Sequence, residues 1–172
     1  NVEQMVDGNY KVNYELHDVP RGVKLLSETY QPAPSQMRDV AHAISDRIYE
    51  QLTGVPGAFA TRVVYVTHSR NATWPYQLQY ADADGARVQT ILKSREPIMS
   101  PSWSPDGKKI AYVSFEGDGL PGIYIHELTT MQRKKVSSFS GINGGPDWSP
   151  DGQKLALTLS SDGNTEIYVF DI

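Results

Sequence analysis

The sequence contains no cysteine, which excludes disulfides, thiolate nucleophiles and cysteine-ligated zinc. It also lacks any excess of positive charge. Its 16 Lys and Arg against 20 Asp and Glu give a net charge of −4, which argues against a general nucleic-acid binder. No apolar run approaches the roughly 20 residues of a membrane-spanning helix. The amino terminus, Asn1-Val2-Glu3-Gln4, has neither the charged-then-apolar pattern of a secretion signal nor an initiator methionine, so a mature or trimmed form is expected. A G-x-S-x-G elbow and a P-loop are both missing, which disfavours serine-hydrolase and P-loop nucleotide chemistry. The four histidines, His17, His42, His68 and His126, stand too far apart for a local metal pair, and each is expected to pack or face solvent. No cofactor and no metal are expected. What is present suffices for a folded core: 39% of the 172 residues are hydrophobic and 21% charged.

The first stretch reads as strands and then a helix. Val2 to Val6 and Asn9 to Leu16 flank Asp7-Gly8, a strong hairpin signal, and Tyr10, Val12, Tyr14 and Leu16 alternate with polar residues. Val23 to Tyr30 reads as a third strand, halted by Pro32 and Pro34. Ser35 is the expected N-cap of a helix to about Leu52, with Met37, Val40, Ala41, Ile44, Ile48 and Leu52 on its apolar face. Gly54 suits the position just past its end, and Pro56 forbids continuation. After Gly54-Val55-Pro56-Gly57-Ala58 no helical period survives, and short β runs separated by turns continue to the end.

Two segments align without gaps. Ser102-Trp103-Ser104-Pro105-Asp106-Gly107-Lys108-Lys109-Ile110-Ala111-Tyr112 matches Asp147-Trp148-Ser149-Pro150-Asp151-Gly152-Gln153-Lys154-Leu155-Ala156-Leu157, with the tryptophans 45 positions apart. A period in the forties with about four strands per unit is that of propeller blades. The turn explains its own residues: Pro presets φ, Asp bonds its own backbone, and Gly accepts the left-handed conformation. Trp103, Pro105, Asp106 and Gly107, with Trp148, Pro150, Asp151 and Gly152, are therefore read as structural repeat turns, the aromatic packing between blades. Gly122-Ile123-Tyr124-Ile125 matches Glu166-Ile167-Tyr168-Val169 further along, and Arg62 to His68, Tyr76 to Ala81 and Arg87 to Leu92 fit a preceding unit. The count is one blade missing its first strand, one complete blade, and one missing its last.

Trp-Ser-Pro-Asp-Gly followed by Lys-Ile-Ala-Tyr-Val-Ser resembles the TolB-like class of propeller repeat. Leu52 to Phe59 followed by Thr61 to Val66, and Pro97 to Gly107, are similar to segments of the TolB family, periplasmic components of the Tol–Pal system of Gram-negative bacteria. The resemblance covers essentially the whole chain. It implies an α/β domain followed by a six-bladed propeller. Residues 1–57 would then be the C-terminal portion of an α+β part built from antiparallel strands and one helix, and 58–172 an incomplete all-β propeller of about three blades. On this reading the chain is the middle of a longer protein. The resemblance also implies a non-enzymatic interaction component in the periplasm that binds the lipoprotein Pal and supports outer-membrane integrity and cell division. TolA would be contacted only through an N-terminal segment absent from this sequence. The alternative is the propeller of a prolyl-oligopeptidase-like or tricorn-like peptidase, whose separate hydrolase domain has no counterpart here.

Propellers bind through the loops at their faces. The Gly-rich connections at equivalent places in successive blades are therefore the candidate protein-binding residues: Glu116, Asp118 and Gly119 in one, Ser161, Asp162 and Asn164 in the other. His126 stands out as a further candidate. Trp74-Pro75-Tyr76 is an aromatic cluster beside a loop tip, readable either as a contact surface or as the start of a strand packed on its blade. Asp82 with Asp84 and Glu116 with Asp118 read as solvated loop carboxylates, and Gln132 to Lys135 as a basic run that discourages edge pairing. Unpaired blade edges are expected to make the isolated chain either self-associate or be poorly stable.

Overall fold

The computed structural model describes residues 1–117 and 119–172. They fall into two compact units: Asn1–Arg62 together with Asp82–Ala86, and Val63–Ala81 together with Arg87–Ile172.

In the first unit, strands β1 (Val2–Gln4), β2 (Tyr10–Asp18) and β3 (Val23–Tyr30) form an antiparallel meander. The expected first strand is shorter, because Met5 already belongs to the turn: its amide donates to the Asn9 carbonyl at 2.8 Å. Helix α1 (Met37–Thr53) follows a 3-10 turn, Pro34–Gln36. Ser35 is not its N-cap. The Pro-Ala-Pro segment first makes the tight 3-10 turn, and the Gln36 side-chain oxygen accepts the Ala33 amide at 3.1 Å instead. The helix ends as expected, with Gly54 left-handed at φ 74° and its amide on the Glu50 carbonyl.

Arg47 ties helix to sheet, donating through Nε to Glu28 at 3.1 Å, and the Tyr14 and Tyr30 hydroxyls donate to the same carboxylate at 2.9 and 2.8 Å. Those bonds, led by Tyr30, hold the Glu28 carboxyl below its ordinary range. The apolar helix face is only partly covered. No α1 residue is fully buried, and Ala41 and Leu52 are exposed, because a three-stranded sheet is too narrow to cover five helical turns. Asp46 accepts the Phe59 and Ala60 amides at 2.7 and 3.1 Å, pulling the following segment against the helix. Gly57 is required there, since a Cβ would lie 2.5 Å from Asp46 Cα. Asp82 and Asp84 are not solvated loop carboxylates: Arg38 donates to both, at 3.2 Å for Asp82, and His42 Nε2 lies 3.1 Å from Asp84. The Ala86 amide, then His42 and Arg38, lower the Asp84 pKa.

The second unit is three antiparallel sheets. The first holds β4 (Arg62–His68), β5 (Tyr76–Asp82) and β6 (Gln89–Ser94). The second holds β7 (Ile98–Trp103), β8 (Lys109–Ser114), β9 (Gly122–Glu127) and β10 (Gln132–Ser137) in sequential order. The third holds β11 (Asn143–Trp148), β12 (Lys154–Leu159) and β13 (Glu166–Asp171). This is the expected succession of a blade without its first strand, a complete blade, and a blade without its last. Leu78, Ile91, Ile98, Ile110 and Tyr112 bury the first blade against the second, and Ala111, Val113, Ile123, Leu155 and Leu157 the second against the third. Alternation along β8 points apolar residues at both neighbours, Ile110 and Tyr112 at the first blade and Ala111 and Val113 at the third, as a strand sandwiched between sheets requires.

The two repeat turns are near copies. Ser104 Oγ donates to Asp106 at 2.7 Å and accepts the Lys109 amide at 2.8 Å, while Asp106 accepts the Lys108 amide at 3.1 Å. In the next blade Ser149, Asp151, Gln153 and Lys154 repeat this at 2.5, 3.0 and 2.9 Å. Both Asp side chains are engaged by the turn through one carboxylate oxygen, and these bonds, the serine hydroxyl first, lower their pKa values. The basic run on β10 is also spent locally: Arg133 pairs with Glu116 at 2.5 Å, and Arg133 and Lys135 both lie over the Tyr124 ring.

Candidate partner-binding face

The meander sorts the connections of the second unit into two ends. The Pro-Asp-Gly turns, β7–β8 and β11–β12, lie at one end. The β8–β9 and β12–β13 loops lie at the other, together with the connections that lead into β7 and β11. Hydrogen bonds confirm the second grouping: the Phe115 amide donates to the Pro97 carbonyl at 3.1 Å, and the Ser160 amide to Ile142 at 3.2 Å.

At that end a cleft of about 390 Å³ opens between the second and third blades, walled by Met99, Val113, Phe115 and Pro121 on one side and by Gly141 to Gly144 on the other. Its rim is apolar and exposed, with Met99 at 51%, Ile142 at 52% and nearby Phe139 and Leu120 also open to solvent. Contiguous exposed apolar side chains beside a cleft are what a protein partner buries. Asn143 holds the loop in shape: its Oδ1 accepts Ser137 Oγ at 2.5 Å and the Phe139 amide at 3.1 Å, and its Nδ2 donates to the Phe139 carbonyl at 2.6 Å.

Ser161, Asp162 and Asn164 are exposed in the β12–β13 loop, where Asp162 accepts the Tyr168 hydroxyl at 2.8 Å. Gly119 is exposed in the β8–β9 loop at φ 76°. Glu116 is half-buried and engaged by Arg133. Asp118 lies outside the described residues. His126 does not belong with these loops: it sits inside β9, 4% exposed, opposite Ile110 and Arg133, and burial, then the Arg133 charge, pushes its pKa down. Among the described residues no cluster of three or more histidine or acidic side chains could hold a metal ion, and no helix is long and apolar enough to cross a membrane.

Sequence reasoning missed the cleft itself. A signal was there in the 45-residue register, which aligns Met99-Ser100-Pro101 with Gly144-Gly145-Pro146. Both inner strands bulge at that place, and both use a left-handed residue, Ser100 at φ 49° and Gly145 at φ 56°. A β-carbon there costs roughly 1 kcal/mol, partly offset by the greater unfolded-state freedom of glycine. Ser100→Gly is therefore expected to stabilise the unit by about 0.5 kcal/mol and Gly145→Ser to destabilise it by about 1 kcal/mol. Urea unfolding of the pair should give opposite signs.

Stacked antiparallel blades, one of four strands flanked by two of three, repeating at 45 residues, define a β-propeller protein. The particular family follows from comparison: a family model described as the TolB beta propeller domain matches residues 49–172, and the chain belongs to that family. It is 70% identical over 156 residues to the Tol-Pal system protein TolB of Alcanivorax borkumensis, covering 91% of this chain and 36% of that protein. It is 53% identical over 139 residues to the Tol-Pal system protein TolB of Xanthomonas oryzae pv. oryzae, covering 80% and 31%. The crystal structure of TolB from Acinetobacter baumannii superposes with a TM-score of 0.91 at 45% identity, covering 99% of this chain and 42% of that one. The chain thus spans about a third of the length of the curated relatives it matches, at 36% and 31%.

Proposed function

We propose that this chain is the blade-bearing part of a non-enzymatic Tol–Pal component that works in the periplasm, and that its cleft end binds the lipoprotein Pal in support of envelope integrity and cell division. Family membership supports the Tol–Pal role. The observation that carries the binding face is the apolar cleft between the second and third blades, rimmed by exposed Met99 and Ile142. Glu116, Gly119, Ser161, Asp162 and Asn164, in the loops of the same end, supply the polar surround that a protein interface keeps at its edge. Binding here needs shape and apolar burial, which rigid strands and short loops provide, and it asks no side chain to react.

Calorimetric titration of the intact protein with the lipid-free Pal domain tests this. Ile142→Asp, which places a charge in the apolar rim, should weaken binding about 100-fold. Lys108→Ala at the opposite end should leave it unchanged. Equal binding by Ile142→Asp and the parent protein would refute the face.

A further inference from the structure

Arg95 lies in the short connection between β6 and β7, with its guanidinium carbon 5.1 Å from the centroid of the Trp74 ring. Both residues are exposed, Trp74 at 43%. Arg95 stands in the chain between two buried positions, Ser94, 2% exposed, and Ile98, 3% exposed, and Ser94 Oγ accepts the Glu96 amide at 3.0 Å. Trp74 closes a loop in which the Ser69 amide donates to the Pro75 carbonyl at 2.8 Å, and the His68 and Tyr76 rings stack beside it at 4.6 Å. The connection is tied to the binding face, since Pro97 receives the Phe115 amide. Arg95 and Met99 on the cleft rim are four positions apart, no more than about 13 Å at strand rise.

We infer that the Arg95–Trp74 pair is a carboxylate anchor beside the cleft, so that the partner docks an acidic side chain against Arg95 while its apolar residues enter the cleft. The inference rests on the binding face proposed above. A guanidinium held over an indole ring by a cation–π contact keeps its outward N–H groups for a further partner, and these are the fork of donors that fits a carboxylate bidentately. The contact also restricts the side chain before binding, so less freedom is lost when the partner docks. Trp and Arg are the residue types that dominate interface hot spots. A lone guanidinium beside an apolar cleft matches a single carboxylate side chain, whereas attraction to an anionic membrane surface is built from clusters of Lys and Arg.

The test is titration of the intact protein with the lipid-free Pal domain at two salt concentrations, alongside cosedimentation with phosphatidylglycerol vesicles. Arg95→Gln should weaken binding about 10- to 100-fold and flatten its salt dependence, with an unchanged melting temperature. Arg95→Lys should recover only part of the affinity, because an ammonium cannot make the bidentate contact. Parent-like binding by Arg95→Gln while Ile142→Asp fails would overturn the anchor and leave the face standing. Parent-like binding by both variants would overturn the face and the anchor with it. Vesicle binding that Arg95→Gln abolishes, without any effect on Pal, would assign the residue to lipid and overturn the proposal.

Discussion

Replacing Trp148 with alanine is expected to destabilise the blade-bearing unit by about 3–5 kcal/mol, the range for truncating a buried large aromatic. Trp148 is 9% exposed and sits in the cluster formed by Ala111, Val113, Leu155 and Leu157, between the second and third blades. Its indole nitrogen also donates to the Ser102 carbonyl at 3.3 Å, and Ser102 Oγ reaches Asp147 at 3.2 Å, so the innermost strands of the two blades are stitched at this point. Loss of the ring removes apolar burial and both sides of a wedge. Trp148→Phe should cost less, about half as much, by restoring volume without the donor. Trp103, the same residue of the preceding repeat, is only half-buried, with its ring edge-on to Tyr80 at 5.7 Å, so Trp103→Ala should cost less than Trp148→Ala. Urea unfolding followed by far-UV dichroism gives the comparison at constant slope. A loss below about 1 kcal/mol for Trp148→Ala would refute the wedge.

What could be read beforehand follows the range of the forces involved. Val23 to Tyr30 was legible as a strand, and Gly54 as the end of the helix, because turn and cap chemistry act within a few residues. The blade count was legible for the same reason: the repeat turn needs Ser, Pro, Asp and Gly in a fixed order, and that order survives in both copies. The helix start misled because Ser35 has the right side chain but lies inside a 3-10 turn set by Pro34. Strand β11 is harder still. Asn143-Gly144-Gly145-Pro146 has poor strand propensity, and the segment is extended because β12 pairs with it around a bulge. The cleft was not legible from local pattern, since Met99 and Ile142 meet only when two blades stack, and Phe139 and Ile142 read as loop residues without that partner. His126 illustrates the same limit: it stood out as a further candidate contact, and its place inside β9 buries it.

Asn143→Ala is expected to cost about 2–4 kcal/mol in stability, more than its apolar content could explain. The side chain is 1% exposed and serves three groups: the buried Ser137 Oγ, and the amide and carbonyl of Phe139. Removing it leaves buried donors and acceptors unmatched, at about 1–3 kcal/mol for each group that cannot relax. The repeat supplies a control, because the equivalent slot in the preceding blade is Ile98, also buried at 3%. That blade needs no amide there, since Ser94 Oγ anchors its connection through the Glu96 amide. If packing alone mattered at this slot, Asn143→Ile would be neutral or stabilising; if the hydrogen bonds hold the loop, it should destabilise nearly as much as alanine. Hydrogen exchange separates the two, because loss of the bonds should strip protection from the Phe139 amide even where the strands stay intact. The same loosening should reach the binding face. Phe139 and Ile142 sit on the loop that Asn143 fixes, so a partner would have to order that loop on docking, and Pal affinity should fall together with Phe139 protection. An Asn143→Ile protein with full stability and unchanged Phe139 exchange would show that the loop keeps its shape by packing alone.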